Sequence, residues 1–255
     1  MGVLEVGRVG ADRDVTAVLR HLAPSGAGTG LVGVDPQVCA QALDVDGVAV
    51  SVLAGNGLSE VLWCSEGASA RLEELQFTLG QGPGPEVGVC CAPVVVPDLA
   101  RVPAGRWPAL LPEAAALGIG ALFCFPLHIG SACLGTLTLQ RTAPGPLADT
   151  TMTDAWLVAN ALTALLVKGG PQLDAFAAAE EGAEFYRAVV HQASGMVSVQ
   201  AGVPVAQALL RLRAHAFRHG RPVTEVAEDV VARRLSFRDD GNGPATAAGE
   251  GTEGP

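Results

Sequence analysis

The spacing of apolar positions changes period several times along the 255 residues, and each change predicts an element. The first 34 residues carry only a short helical hint over Thr16–Leu22 followed by PSGAGTG, and so read as a flexible lead-in, residues 1–34. PQVCAQALD then has helical character. GVAVSVLA and EVLWCSE alternate as strands, and the intervening GNG is a turn that would join them into a hairpin. SARLEELQFTL predicts a short amphipathic helix with Ser69 as its cap. Beyond GQGPGPEVG, whose glycines and prolines read as a loop, come a strand at Pro93–Val96 and a helix around Trp107–Leu117. Strands follow at Ala121–Ile129 and Ala132–Gln140, and the two-residue link Gly130-Ser131 between them suits a type II′ hairpin turn. A helix over Thr151–Val167 closes the series. An antiparallel sheet with helices at its start, middle and end is an α+β layered domain, here residues 35–168.

Lys168-Gly169-Gly170-Pro171 stops that last helix and marks a boundary. Past it, Phe176, Ala179, Ala183, Tyr186, Val190, Ala193 and Val197 recur at alternating spacings of three and four, a heptad seam. Such a seam either pairs with its twin in a second chain, through Phe176, Ala179, Ala183, Tyr186 and Val190, or is the buried face of an amphipathic helix within one chain. Gly202 ends this helix and Pro204 suits the first turn of the next. Over Val205–Arg218 there are two apolar stripes, one of Val205, Ala208, Leu209, Leu212 and Ala216, the other of Leu210, Ala214 and Phe217. A helix with two such stripes is expected to lie between two partners. Gly220 and Pro222 make a second turn, and Val223, Val226, Ala227 and Val230 give a third helix one buried face. Residues 172–236 therefore form a small all-α three-helix unit, followed by a glycine-rich polar tail, residues 237–255, expected to be disordered.

Charge sharpens this division. The chain carries −10 at pH 7, yet Arg187–Arg238 holds eight arginines against Glu225, Glu228 and Asp229, a net +5 that leaves −15 elsewhere. An acidic body with a basic end implies that the end meets an anion. Gln207, Arg211 and Arg218 share one solvent face of the middle helix, with Arg213 on its other side and His219 and Arg221 at the turn. Guanidinium groups on a rigid helix suit bidentate contact with phosphate oxygens and stacking on bases. Arg233 and Arg234 in the last turn of the third helix, and the three acids near its start, fit the helix dipole and are assigned to helix stability. Helix, HGRP turn and helix could also be a helix-turn-helix reading duplex DNA. The acids on the third helix would repel phosphate there, and the arginines lie mainly on the preceding helix. A third reading is a partner-binding adaptor that uses only the heptad helix.

Catalytic signatures such as G-x-S-x-G and H-E-x-x-H are missing, so an enzyme has no residues to stand on. GQGPGPEVG lacks the Lys-Ser/Thr ending of a phosphate loop. Cys39, Cys64, Cys90, Cys91, Cys124 and Cys133 form no C-x-x-C pair and are expected to be buried small hydrophobes. His128 should face Cys133 across the hairpin, but Cys124 and His128 lie about 13 Å apart along a strand. That is too far to share an ion, so a packed core histidine is expected and no metal. The stretch between Glu113 and Arg141 carries no formal charge but is broken by glycines, Pro126 and alternation, which argues for strands over a membrane span. The first residues lack the apolar run of a signal peptide, and a cytoplasmic protein is expected.

HQASGMVSVQAGVPVAQALLRLRAHAFRHGRPVTEVAEDVVARRL resembles an ANTAR domain. The Gln-Ala-x-Gly-Met run at Gln192–Met196, Ala208-Leu209, the Leu-Arg-x-x-Ala run at Leu212–Ala216 and Val226-Ala227 recur in that order and spacing. Upstream, EELQFTLGQGPGPE, VVVPDLA, RWPAL, FCFPLHIG and LGTLTL look like the GAF domain joined to ANTAR in actinobacterial regulators. The resemblance covers roughly Asp35–Leu235 and implies a GAF-like sensor followed by an RNA-binding module. That module would bind paired hairpins in nascent mRNA as a homodimer and prevent transcription termination. It adds Gln192 and Gly195 to the RNA-facing candidates Gln207, Arg211, Arg213, Arg218, His219 and Arg221. A small-molecule ligand of the sensor is implied, but no cofactor is identified. Ser198 departs from the family, which commonly has a bulky apolar residue there.

Overall fold

The computed structural model describes residues 14–23, 30–53, 59–168 and 183–237. The chain divides into two compact units, the second beginning at Tyr186.

The first unit is built on a five-stranded antiparallel sheet in the order β2-β1-β5-β4-β3. Its strands are β1 (Gly47–Leu53), β2 (Ser59–Cys64), β3 (Val94–Val96), β4 (Ala121–Ile129) and β5 (Ala132–Arg141). The expected β1–β2 hairpin is present, although its GNG turn lies outside the described residues. In the β4–β5 hairpin Gly130 takes φ +55 and Ile129 pairs with Ala132. A left-handed first turn residue is what a type II′ link requires.

Side chains alternate across the sheet and so build two layers. On one face Val48, Val50, Phe123, Phe125, Leu127, Leu137 and Leu139 pack beneath α1 (Val15–Leu22), α2 (Pro36–Ala42) and α6 (Asp149–Lys168). α1 corrects the expected lead-in. Asp14 accepts a hydrogen bond from the Ala17 N–H at 2.9 Å and caps the helix, and Val15, Val18 and Leu22 enter the core. Segment 14–23 is thus structural, because three apolar residues at helical spacing outweigh a short polar neighbourhood. α6 is long and apolar enough to cross a membrane, but Ala155, Val158, Ala159 and Leu162 are buried in this core.

The opposite face carries α3 (Ala68–Leu79), α4 (Pro83–Cys90) and α5 (Leu110–Ala116) over Leu122, Cys124, Val94 and Val96. α4 occupies the stretch expected to be a loop. Gly82, at φ +124, turns the chain in, Pro83 takes the first helical position and Glu86 lies in the first turn. Proline costs nothing at that position, where its missing N–H would be unpaired anyway. Ser69 does not cap α3; Gly67 precedes the helix and the Ser69 hydroxyl is buried inside it. α5 starts three residues later than expected, where Gln81 Oε1 accepts the N–H groups of Ala109 (2.9 Å) and Leu110 (3.3 Å). This face is polar for a core. Glu73 is buried and accepts from the Ser51 hydroxyl at 3.0 Å and Gln76 Nε2 at 2.8 Å, while Gln76 Oε1 accepts from the Gly84 N–H at 2.8 Å. Thr136, Thr138 and Gln140 of β5 are buried on the same side.

His128 is exposed, with Nδ1 3.0 Å from its own hairpin carbonyl at Gly130, so it is not the packed core histidine expected. A register shift between Leu127 and His128 breaks the alternation that the expectation relied on. Cys39 and Cys124 are buried, whereas Cys64, Cys91 and Cys133 are half-buried and Cys90 is exposed, so only part of the cysteine set serves as core.

The second unit holds α7 (Ala183–Ala201), α8 (Val205–Arg218) and α9 (Val223–Val231). Gly202 at φ +62 and Gly220 at φ +60 end α7 and α8, each followed by a proline that begins the next helix. Val190, Ala193, Val197, Ala208, Leu212, Ala216, Val223, Val226, Ala227 and Val230 are fully buried.

Candidate nucleic-acid interface

Ser198 explains itself at the first of these turns. Its hydroxyl donates to the Val203 carbonyl at 2.6 Å, and the Val203 N–H returns to the Ser198 carbonyl at 3.1 Å, a two-bond clasp around Gly202. The second clasp follows α9. Arg233 has φ +60, its N–H bonds the Val230 carbonyl at 3.0 Å, and the Arg234 N–H bonds the Asp229 carbonyl at 2.7 Å. This is the paired-bond C-terminal cap in which glycine normally takes the left-handed place. An arginine there costs about 1 kcal/mol or more.

The strain has a geometric result. The chain after Arg233 folds back so that Gln200 Oε1 accepts from the Phe237 N–H at 2.9 Å and the Ser236 hydroxyl at 3.4 Å. A groove of about 740 Å³ opens between this returning strand and α7, lined by Gln192, Gly195, Met196, Val199, Gln200, Arg233, Leu235 and Ser236. Gln192 and Gly195, both expected at the interface, therefore share one groove. A Cβ built at Gly195 would find no neighbouring atom within 4 Å. Among the described residues nothing requires glycine in mid-helix there, where it costs roughly 0.5–1 kcal/mol relative to alanine. Val199 in the same groove is 85% exposed.

Phe237, next in the chain after the groove residue Ser236, packs edge-on against the His215 ring of α8 at 5.4 Å, and His215 stacks on His219 at 4.1 Å. His215 lies one turn from Arg211 on that helix. Gln207, Arg218 and His219 are exposed and Arg211 half-buried. The His215 pKa is held below its ordinary value, first by burial and then by repulsion from His219, Arg221 and Arg218.

Two expected contacts lie elsewhere. Arg221 is tied to carboxylates, with Nε 3.3 Å from Glu225 and a terminal nitrogen 2.8 Å from Asp229, and Asp229 also holds Arg234 at 2.8 Å. Its hydrogen bonds to Asp229 and Glu225 push the Arg221 pKa up, and those from Arg234 and Arg221 hold Asp229 down. Arg221 serves this network around α9. Arg213 is half-buried, and burial lowers its pKa to about 10, still charged at neutral pH but turned from the solvent face. Arg233, assigned from sequence to helix stability, instead lines the groove. A capping arginine where glycine is usual is visible in the sequence only once α9 is known to end at Val231.

Of the seam residues, Phe176 and Ala179 lie outside the described residues, as do the side chains of Ala183 and Tyr186. Val190 is fully buried within the single chain. The second stripe of α8 is not covered as expected: Leu210 is 65% and Phe217 59% exposed, and Ala214 is exposed beside them. Among the described residues no group of His, Cys, Asp and Glu could hold a metal ion.

Comparison with known proteins agrees with both halves of this picture. The ANTAR domain model matches residues 184–231 and the GAF domain model residues 37–166. Similar solved structures include the GAF domain of an Acinetobacter phosphoenolpyruvate-protein phosphotransferase, 13% identical with TM-score 0.47, covering 62% of this chain and 95% of that one. The GAF domain of a Coxiella burnetii phosphoenolpyruvate-protein phosphotransferase is 17% identical with TM-score 0.45, covering 62% and 96%. A domain of a Sinorhizobium meliloti 1021 two-component sensor histidine kinase is 18% identical with TM-score 0.43, covering 52% and 85%. No curated protein matches the chain. The ANTAR domain is an RNA-binding antitermination module and GAF a sensor domain. With one model spanning 37–166 and the other 184–231, the chain belongs to the GAF-ANTAR regulators.

Proposed function

We propose that the protein is a cytoplasmic, signal-responsive regulator of the actinobacterial type that binds hairpins in nascent mRNA and prevents transcription termination. The observation that carries this reading is the open groove at Gly195, bordered by Gln192 and the strained Arg233, in the same unit as the exposed Arg218 and half-buried Arg211 of α8. A hairpin loop offers splayed bases to a groove and stem phosphates to flanking arginines. The acids of α9 argue against duplex DNA: Glu225 and Glu228 are exposed on what would be the recognition helix, and Thr224 is buried.

A homodimer would bind two linked hairpins with raised effective concentration. The uncovered stripe of Leu210, Ala214 and Phe217 supports a second chain, and the heptad positions Phe176 to Tyr186 remain part of the proposed contact. The GAF-like unit would receive a small molecule and pass its state through the linking segment to the arginine face.

The test compares binding to tandem RNA hairpins and to duplex DNA at two salt concentrations, with Arg211→Ala and Arg218→Ala beside the wild type. The expected result is RNA-selective affinity that falls steeply with salt, each substitution lowering the logarithmic salt slope by about one. Preference for duplex DNA, or salt-insensitive binding, would overturn the reading.

A further inference from the structure

Three cysteines gather where α4 meets β5, and none belongs to the RNA-facing unit. Cys91 follows the last residue of α4 and takes φ +50, a left-handed conformation that costs a non-glycine residue about 1 kcal/mol or more. Its N–H bonds the Val87 carbonyl at 2.8 Å. The thiol of Cys133, on β5, points to that same carbonyl with Sγ 3.9 Å away, and also to the Gly135 carbonyl at 3.5 Å. One carbonyl thus holds the backbone of one cysteine and the sulfur of the other, so the two residues meet around Val87. Cys90 faces its own loop instead, with Sγ 3.5 Å from the Ala92 carbonyl. Both members of the pair are half-buried, so a small solute can reach them.

We propose that Cys91 and Cys133 are a redox-responsive thiol pair that closes to an intramolecular disulfide on exposure to hydrogen peroxide. The Cys91 thiolate attacks one peroxide oxygen. The O–O bond breaks, the departing hydroxide takes up the proton released from Cys91 and leaves as water, and Cys91 becomes a sulfenic acid. The Cys133 sulfur then attacks the Cys91 sulfur, the S–O bond breaks, and hydroxide leaves as a second water with the Cys133 proton. Two thiols and one peroxide give one disulfide and two waters, the sulfurs being oxidised and the peroxide reduced. Burial, above all, raises the Cys133 pKa to about 11, so at neutral pH it is held as the thiol and its attack on the Cys91 sulfur is the slower of the two steps. The bond would tie the end of α4 to β5, on the polar face of the sheet.

Peptide mapping of the full chain decides the matter. After peroxide treatment and alkylation of free thiols, tryptic digestion separates residues 72–101, with Cys90 and Cys91, from residues 107–141, with Cys124 and Cys133. The expected product is one cross-linked peptide whose fragments assign the bond to Cys91 and Cys133, lost on reduction. It persists in Cys90→Ser and disappears in Cys133→Ser. Overturning results are a Cys90–Cys91 or Cys90–Cys133 bond as the main product, a link between two chains, or cysteines oxidised without any cross-link. The wild-type digest alone separates these outcomes, so a variant that fails to fold leaves the test intact.

Discussion

Gly195 and Arg233 stand where they cost stability, and each offers a test that separates folding from binding. Replacing Gly195 with alanine adds a methyl group that meets nothing within 4 Å among the described residues, so thermal melting should rise, by roughly 0.5–1 kcal/mol in stability. RNA affinity should fall in the same protein, because the methyl group narrows the groove. A stabilised variant with undiminished affinity would remove Gly195 from the interface. Arg233→Gly relieves the left-handed arginine and should also keep or raise the melting temperature while weakening RNA binding. Arg221→Ala should behave in the opposite way to Arg218→Ala, changing RNA affinity little, since its guanidinium is already held by Glu225 and Asp229. His215 adds a pH dependence. Its folded pKa lies below the ordinary histidine value of about 6.5, so the unfolded chain takes up the proton more readily. Stability is therefore full above that value and lost as pH falls through the lowered folded value. Melting scans of the full chain from about pH 7.5 to about pH 5 should show this loss, and His215→Asn should flatten it.

At the scale of elements, strands and long helices were legible because their apolar periods are unambiguous. In β5 Leu137 and Leu139 alternate with Thr136, Thr138 and Gln140, and α9 shows one buried face at Val223, Val226, Ala227 and Val230. What escaped sequence reasoning were features set by position within an element rather than by period. Pro83 starts a helix that composition alone assigns to a loop, and Gln81 caps α5 from 28 residues away. The arginine count marked the right helix but not which guanidiniums face out; Arg213 turns inward and Arg221 pairs, by contacts that need the folded neighbours. Ser198 looked like a departure and is a clasp. Ser198→Ala should cost about 1 kcal/mol, read as a lower melting temperature, because it leaves the part-buried Val203 carbonyl without its donor.

For the whole molecule, the basic stretch Arg187–Arg238, read first from charge, lies inside the second compact unit, and the family models match residues 37–166 and 184–231. The sensor's polar face was not legible, since Glu73 in SARLEELQFTL looks like an ordinary surface acid until α3 is laid on the sheet, where it is buried against Ser51 of β1. Glu73→Leu should destabilise the first unit by about 1–3 kcal/mol, measured by denaturant unfolding, because Ser51 and Gln76 lose their acceptor in a dry site.

The bond from Phe237 to Gln200 has a practical consequence for anyone shortening this protein. The family match stops at residue 231, and a fragment trimmed there, or even at Leu235, loses both donors to the Gln200 oxygen and the aromatic edge beneath His215. Such a fragment forfeits one wall of its own groove, so an inactive trimmed domain would reflect the scissors and not the chemistry.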